Sequence, residues 1–126
     1  VDSAAKAGHI NVLIWLHQHT SVVGTKVAMD WAARNGHLSV VKWMHINRDE
    51  GCTVCAMNWA AEEGHLHVVK WLHYNRQEGC TTAAFDRASM NNHVHVVSWL
   101  MTHRTEGGTS RALRWAIANG HTQVCL

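Results

Sequence analysis

From Thr53 onward, apolar stripes and polar punctuation follow one another in a fixed order. Ala56, Met57, Ala60 and Ala61 fall at i, i+1, i+4 and i+5, the spacing of one buried stripe on an α-helix. Thr53 stands just before them as an N-cap, its hydroxyl able to accept from an unpaired amide of the first turn. Gly64 stops the run, in a left-handed conformation that glycine adopts freely and Asn tolerates next best. The pattern predicts a first helix over 54–63 and, after a tight turn, a second over 66–75, with Leu66, Val69, Trp71 and Leu72 as core candidates. Arg76-Gln77-Glu78-Gly79-Cys80 then leads to Thr81, the next cap.

The same order recurs every 28 residues. Gly-His stands at 8–9, 36–37, 64–65 and 120–121, with Asn92-His93 in the remaining slot. Thr25, Thr53, Thr81 and Thr109 keep the period, as do Ala32, Ala60, Ala88 and Ala116, and Trp15, Trp43, Trp71 and Trp99. No insertion or deletion breaks these columns. The chain of 126 residues therefore reads as one domain of about 4.5 helix-turn-helix units, approximately 1–24, 25–52, 53–80, 81–108 and 109–126. The pattern opens late in one first helix and stops early in a second helix, which leads us to expect a fragment of a longer array.

The string Ala60-Ala61-Glu62-Glu63-Gly64-His65-Leu66-His67-Val68-Val69-Lys70-Trp71-Leu72 resembles the A-A-x-x-G-H-x-x-V-V-x-x-L core of an ankyrin repeat, and residues 32–44 match it equally well. The resemblance implies an all-α, ankyrin-like solenoid. Ankyrin units run to about 33 residues and open with T-P-L-H, whereas these are shorter and place Cys55-Ala56-Met57-Asn58 there. The missing residues fall in the loop between units, so the β-hairpins should be shortened or absent. The resemblance also implies recognition of a partner protein or peptide, with no cofactor and no enzyme activity.

Composition adds exclusions. A formal net charge of +2 gives no broad field for nucleic acid or an anionic membrane. No apolar run has membrane length and the opening residues form no signal peptide, so an intracellular, cytoplasmic location is expected. The four Cys do not form a disulfide framework. Cys52-x-x-Cys55 lacks a second half, and Cys80 repeats Cys52 one unit on. The His9, His37, His65, His93 and His121 column and the His17, His45 and His73 column follow the repeat, which favours packing over a metal ladder. Arg48, Arg76 and Arg104 beside Glu50, Glu78 and Glu106 read as solvated ion pairs between repeats. Nothing assembles a nucleophile, base and orienting acid, so no catalytic or metal residues are assigned.

Helix A offers mostly Ala to its neighbours and helix B offers Val, Trp and Leu or Met, so the stack should bend with helix A on its concave side. There the units diverge most at outward positions. The candidate partner-binding residues are Lys26, Asp30, Arg34, Asn58, Trp59, Glu62, Asp86, Arg87, Met90, Arg111 and Arg114. Alternatives are a nucleic-acid-binding solenoid, against which Asp30, Glu62 and Asp86 argue, or a spacer to other domains of a longer protein.

Overall fold

The computed structural model describes residues 2–19, 25–106 and 114. Among them are eight helices, α1 (Asp2–Ala7), α2 (Ile10–His19), α3 (Lys26–Arg34), α4 (Leu38–Asn47), α5 (Val54–Glu62), α6 (Leu66–Asn75), α7 (Thr82–Met90) and α8 (Val94–His103), and no strand. They form four helical hairpins in series. Arg114 is helical, and the rest of the expected fifth unit lies outside the described residues.

The local rules explain each hairpin. The Thr53 hydroxyl accepts from the Cys55 amide at 3.1 Å, and the Thr81 hydroxyl accepts from Ala83 at 3.2 Å. Thr25 sits in the same extended conformation but its hydroxyl makes no cap bond. At the other end of α5 the His65 amide donates to the Ala60 carbonyl at 2.8 Å and the Gly64 amide to Ala61 at 3.1 Å. That paired closure needs a left-handed residue, and Gly64 has φ +78°. Asn92 takes the same role in the fourth hairpin with φ 60°.

The turn glycine has a second constraint, imposed by the next repeat. The His93 ring lies over Gly64 so closely that a Cβ there would stand 2.6 Å from its Nδ1. His37 covers Gly8 and His65 covers Gly36 in the same way, with 2.8 Å to the nearest ring atoms. Each half-buried histidine of this column is thus a packing piece.

The core runs the length of the stack. Ala28, Ala32, Ala56, Ala60, Ala84 and Ala88 are buried between first helices, and Val40, Val41, Val68, Val69, Val96 and Val97 between second helices and the hairpin interior. Small residues let α1, α3, α5 and α7 pack backbone to backbone, whereas the bulky second helices stand farther apart. The first helices therefore pack closer than the second helices, the asymmetry that would bend a stack with the first helices inside. The loops at 48–53 and 76–81 contain no hairpin.

Candidate functional site

Three positions of each first helix, spaced i, i+4 and i+7, turn away from the alanine stripe: Val27, Trp31 and Arg34 on α3, Cys55, Trp59 and Glu62 on α5, and Ala83, Arg87 and Met90 on α7. Neighbouring helices bring them into contact. The Trp31 and Trp59 rings lie 5.1 Å apart, and the Arg34 guanidinium covers both, at 5.1 Å and 5.4 Å from their centroids. Lys6 of α1 sits 4.2 Å over Trp31. Glu63 pairs with Arg34 at 3.6 Å, and Glu62 with Arg87 at 3.5 Å. Met90 is 70% exposed and Lys26 is exposed. The result is a half-buried ladder of aromatic rings and cations.

Three of the expected site residues belong to a different column. Asp30 is 3% exposed and Asn58 is 7% exposed, so neither faces outward, and Asp86 is half-buried at the equivalent place. Asp30 and Asn58 lie on the flank of the helix, against the cap of the next repeat. Asp30 accepts from the Thr53 amide at 2.8 Å and from its hydroxyl at 2.7 Å. Asn58 accepts from the Thr81 amide at 3.0 Å and donates to its hydroxyl at 3.0 Å. Burial outweighs these bonds and holds the Asp30 carboxyl above its usual range. A partial signal was present: in this column Asp2, Asp30, Asn58 and Asp86 all present a side-chain oxygen, and Arg114 alone departs.

Of the remaining candidates, Arg111 lies outside the described residues and Arg114 is exposed. Lys6 joins the site without having been among the candidates, and Trp31 joins it from the column it shares with Trp59 and Arg87. Lys6 could have been found, since it precedes Arg34, Glu62 and Met90 in one column.

The loop charges also differ from expectation. Arg48–Glu50, Arg76–Glu78 and Arg104–Glu106 pair within their own loops, at 2.8, 2.6 and 2.6 Å, with side chains 11–29% exposed. Contact with the preceding repeat goes instead to a histidine. Arg48 reaches His17 Nδ1 at 3.3 Å, Arg76 reaches His45 at 3.1 Å and Arg104 reaches His73 at 3.2 Å. Each ring stands edge-on to a tryptophan of the following unit, His17 to Trp43, His45 to Trp71 and His73 to Trp99, 5.0–5.4 Å between centroids. A guanidinium can only donate, so this geometry uses each Nδ1 as an acceptor. Burial, then the Arg104 and His103 charges, hold His73 below the ordinary histidine range, with Glu106 opposing.

The thiols are placed for packing rather than reaction. Cys52, Cys55 and Cys80 are free. Burial first, then Glu78, pushes the Cys52 thiol up to about 12, and burial and Glu106 push Cys80 up to about 11, which leaves both protonated and unreactive. Among the described residues no group of three or more His, Cys, Asp and Glu side chains is arranged to hold a metal ion, and no helix is long and apolar enough to cross a membrane.

Residues 57–101, from α5 through α8, match the family described as ankyrin repeats (many copies). That segment is similar to ankyrin repeats. Comparison with curated proteins gives no match. Ankyrin repeats are generally protein–protein interaction modules and typically non-enzymatic scaffolds. Across the described repeats the columns that recur explain the scaffold: caps, turn glycines and the histidines that bridge repeats. The positions that change from unit to unit gather on the first-helix ladder.

Proposed function

We propose that the array binds a partner protein or peptide across the concave surface of its first helices, centred on Arg34, Trp59, Glu62, Arg87 and Met90. The observation that carries this reading is the ladder in which Arg34 is held over Trp31 and Trp59 beside exposed Met90. Aromatic and Arg side chains already fixed in place lose little freedom on binding and dominate the energy of many interfaces. A concave surface also offers one ligand simultaneous contact with several repeats. Free, buried thiols suit an intracellular, reducing setting.

The competing surface is the second-helix side, where Lys42 and Lys70 are exposed and Ile46 and Tyr74 are 78% and 68% exposed. With a partner isolated by affinity capture, Arg87→Ala and Met90→Ala should each weaken binding by at least about 1 kcal/mol, while Lys42→Ala and Lys70→Ala leave it unchanged. Loss of binding from the lysine substitutions alone would reverse the functional surface.

A further inference from the structure

We infer that the outward face of α4 and α6 is a second binding site, which takes an amphipathic helix of a partner protein with apolar residues seven positions apart and carboxylates along one edge. This site is separate from the first-helix ladder and does not depend on it. The second helices α2, α4, α6 and α8 contain no Asp or Glu, whereas each first helix contains one. Their lysines are Lys42 on α4 and Lys70 on α6, both exposed and, among the described residues, in no ion pair. One turn further on, at i+4, stand the exposed Ile46 and Tyr74. Only these two hairpins carry the combination, since the first has Ile14 and Gln18 at these positions and the fourth has Ser98 and Thr102. At the ends of the helices Glu50, Glu78 and Glu106 are each matched by the arginine of their own loop, and Asp49 lies exposed beyond the end of α4. What selects the occupant is therefore position: a cation one turn from an apolar side chain, twice, in neighbouring repeats.

The spacing fits a helix laid across the two. His45 of α4 stands edge-on to Trp71 of α6, so the two pairs sit on adjacent helices. Bulky helices pack about 10 Å apart, and a helix advances about 10.5 Å in seven residues. A partner helix crossing α4 and α6 thus sets residues seven apart against Ile46 and Tyr74. Lys42 and Lys70 lie about 6 Å to one side of that line, where one edge of the partner reaches both. Tyr74 is already braced by edge contacts with His73 at 4.9 Å and Trp99 at 6.5 Å, so it loses little freedom on binding. A second copy docked face to face would set lysine against lysine. A nucleic acid would leave Ile46 unmatched and meet lysine at just two points on these helices.

The test uses fluorescence anisotropy on the whole chain with three probes: a helical Ala-based peptide carrying Leu at every seventh position and Glu along one flank, the same peptide with Lys for Glu, and a thymidine oligonucleotide. The Glu peptide should bind at least about tenfold more tightly than the Lys peptide. Its affinity should fall at least about tenfold with Lys42→Glu combined with Lys70→Glu, and again with Ile46→Ser combined with Tyr74→Ser. Circular dichroism checks that helicity is retained; if Tyr74→Ser lowers it, Ile46→Ser alone carries the apolar arm. Lys26→Glu, the same charge reversal on a first helix, should leave the affinity unchanged. Equal affinity for the two peptides, no binding of the Glu peptide, or tighter oligonucleotide binding overturns the proposal. So does binding indifferent to Ile46→Ser, or an equal loss through Lys26→Glu, which would mean attraction by overall charge. None of these outcomes bears on the first-helix ladder, whose own test uses Arg87 and Met90.

Discussion

The carboxylate of Asp30 and the carboxamide of Asn58 each reach the cap of the following repeat through two hydrogen bonds, and differ in where the threonine hydroxyl sends its proton. Thr53 donates to Asp30 while accepting from Cys55; Thr81 accepts from both Asn58 and Ala83. Either arrangement satisfies the amide and the hydroxyl. Asp30→Asn should therefore change the urea midpoint little, within about 0.5 kcal/mol, as Asn58 already shows the alternative is workable. Asp30→Ala leaves the Thr53 amide without its partner and should cost about 1–3 kcal/mol in the same measurement. Gly64 is constrained twice, by φ +78° and by the His93 ring. Gly64→Ala should cost about 1–2 kcal/mol for the left-handed backbone, with a further penalty from the ring contact. That second part should shrink in a His93→Ala background, so the double-mutant cycle should show coupling of at least about 0.5 kcal/mol. Additive midpoints would mean that the histidine can swing aside freely.

At the scale of the hairpin, the ends of α5 and α6 were readable because caps, left-handed turns and apolar stripes act within a few residues of the chain. The predicted spans, 54–63 and 66–75, meet the observed Val54–Glu62 and Leu66–Asn75 to within one residue. Contacts between hairpins were less readable, since they join residues 23, 29 and 31 apart in sequence. Divergence between units at Asp30 and Asn58 mimics a surface position, because it looks the same whether a partner or a tolerant hydrogen bond permits it. The Arg104–His73–Trp99 contact carries a pH dependence. Protonating His73 places an imidazolium against the Arg104 guanidinium, and His103 adds to the repulsion while Glu106 offsets part of it. The folded state therefore binds this proton less readily than the unfolded chain, and stability present above the ordinary histidine range is lost as pH falls through it. Burial and His67 lower His65 in the same sense. The urea midpoint should fall between about pH 7.5 and about pH 5.5, and His73→Gln, which keeps an acceptor for Arg104, should flatten part of that fall. A midpoint indifferent to pH over this range would show that the histidines reorient without cost.

For the whole molecule, three scaffold contacts between neighbouring repeats recur at fixed offsets: Asp or Asn to threonine, glycine to histidine, arginine to histidine. Removing residues 53–80 would therefore re-create each of them at the new boundary. Asp30 would meet Thr81, Gly36 would meet His93, and Arg104 would meet His45, each pair of a type already seen between adjacent units. The shortened chain should keep its helical circular dichroism signal per residue and unfold at a lower urea midpoint, having lost one interface. A signal that collapses instead would show that the middle repeat supplies something its neighbours lack.

The interchangeable boundary has a consequence at the level of the gene. Unequal recombination between two copies of the coding repeat would lengthen or shorten the protein by whole units without leaving an unmatched surface inside it. Frame and register would both survive the event. Length could then drift through lineages as a nearly neutral trait, while Trp31, Arg34, Trp59 and Met90, which take no part in those three recurring contacts, stay free to be rewritten for whatever the array is to hold.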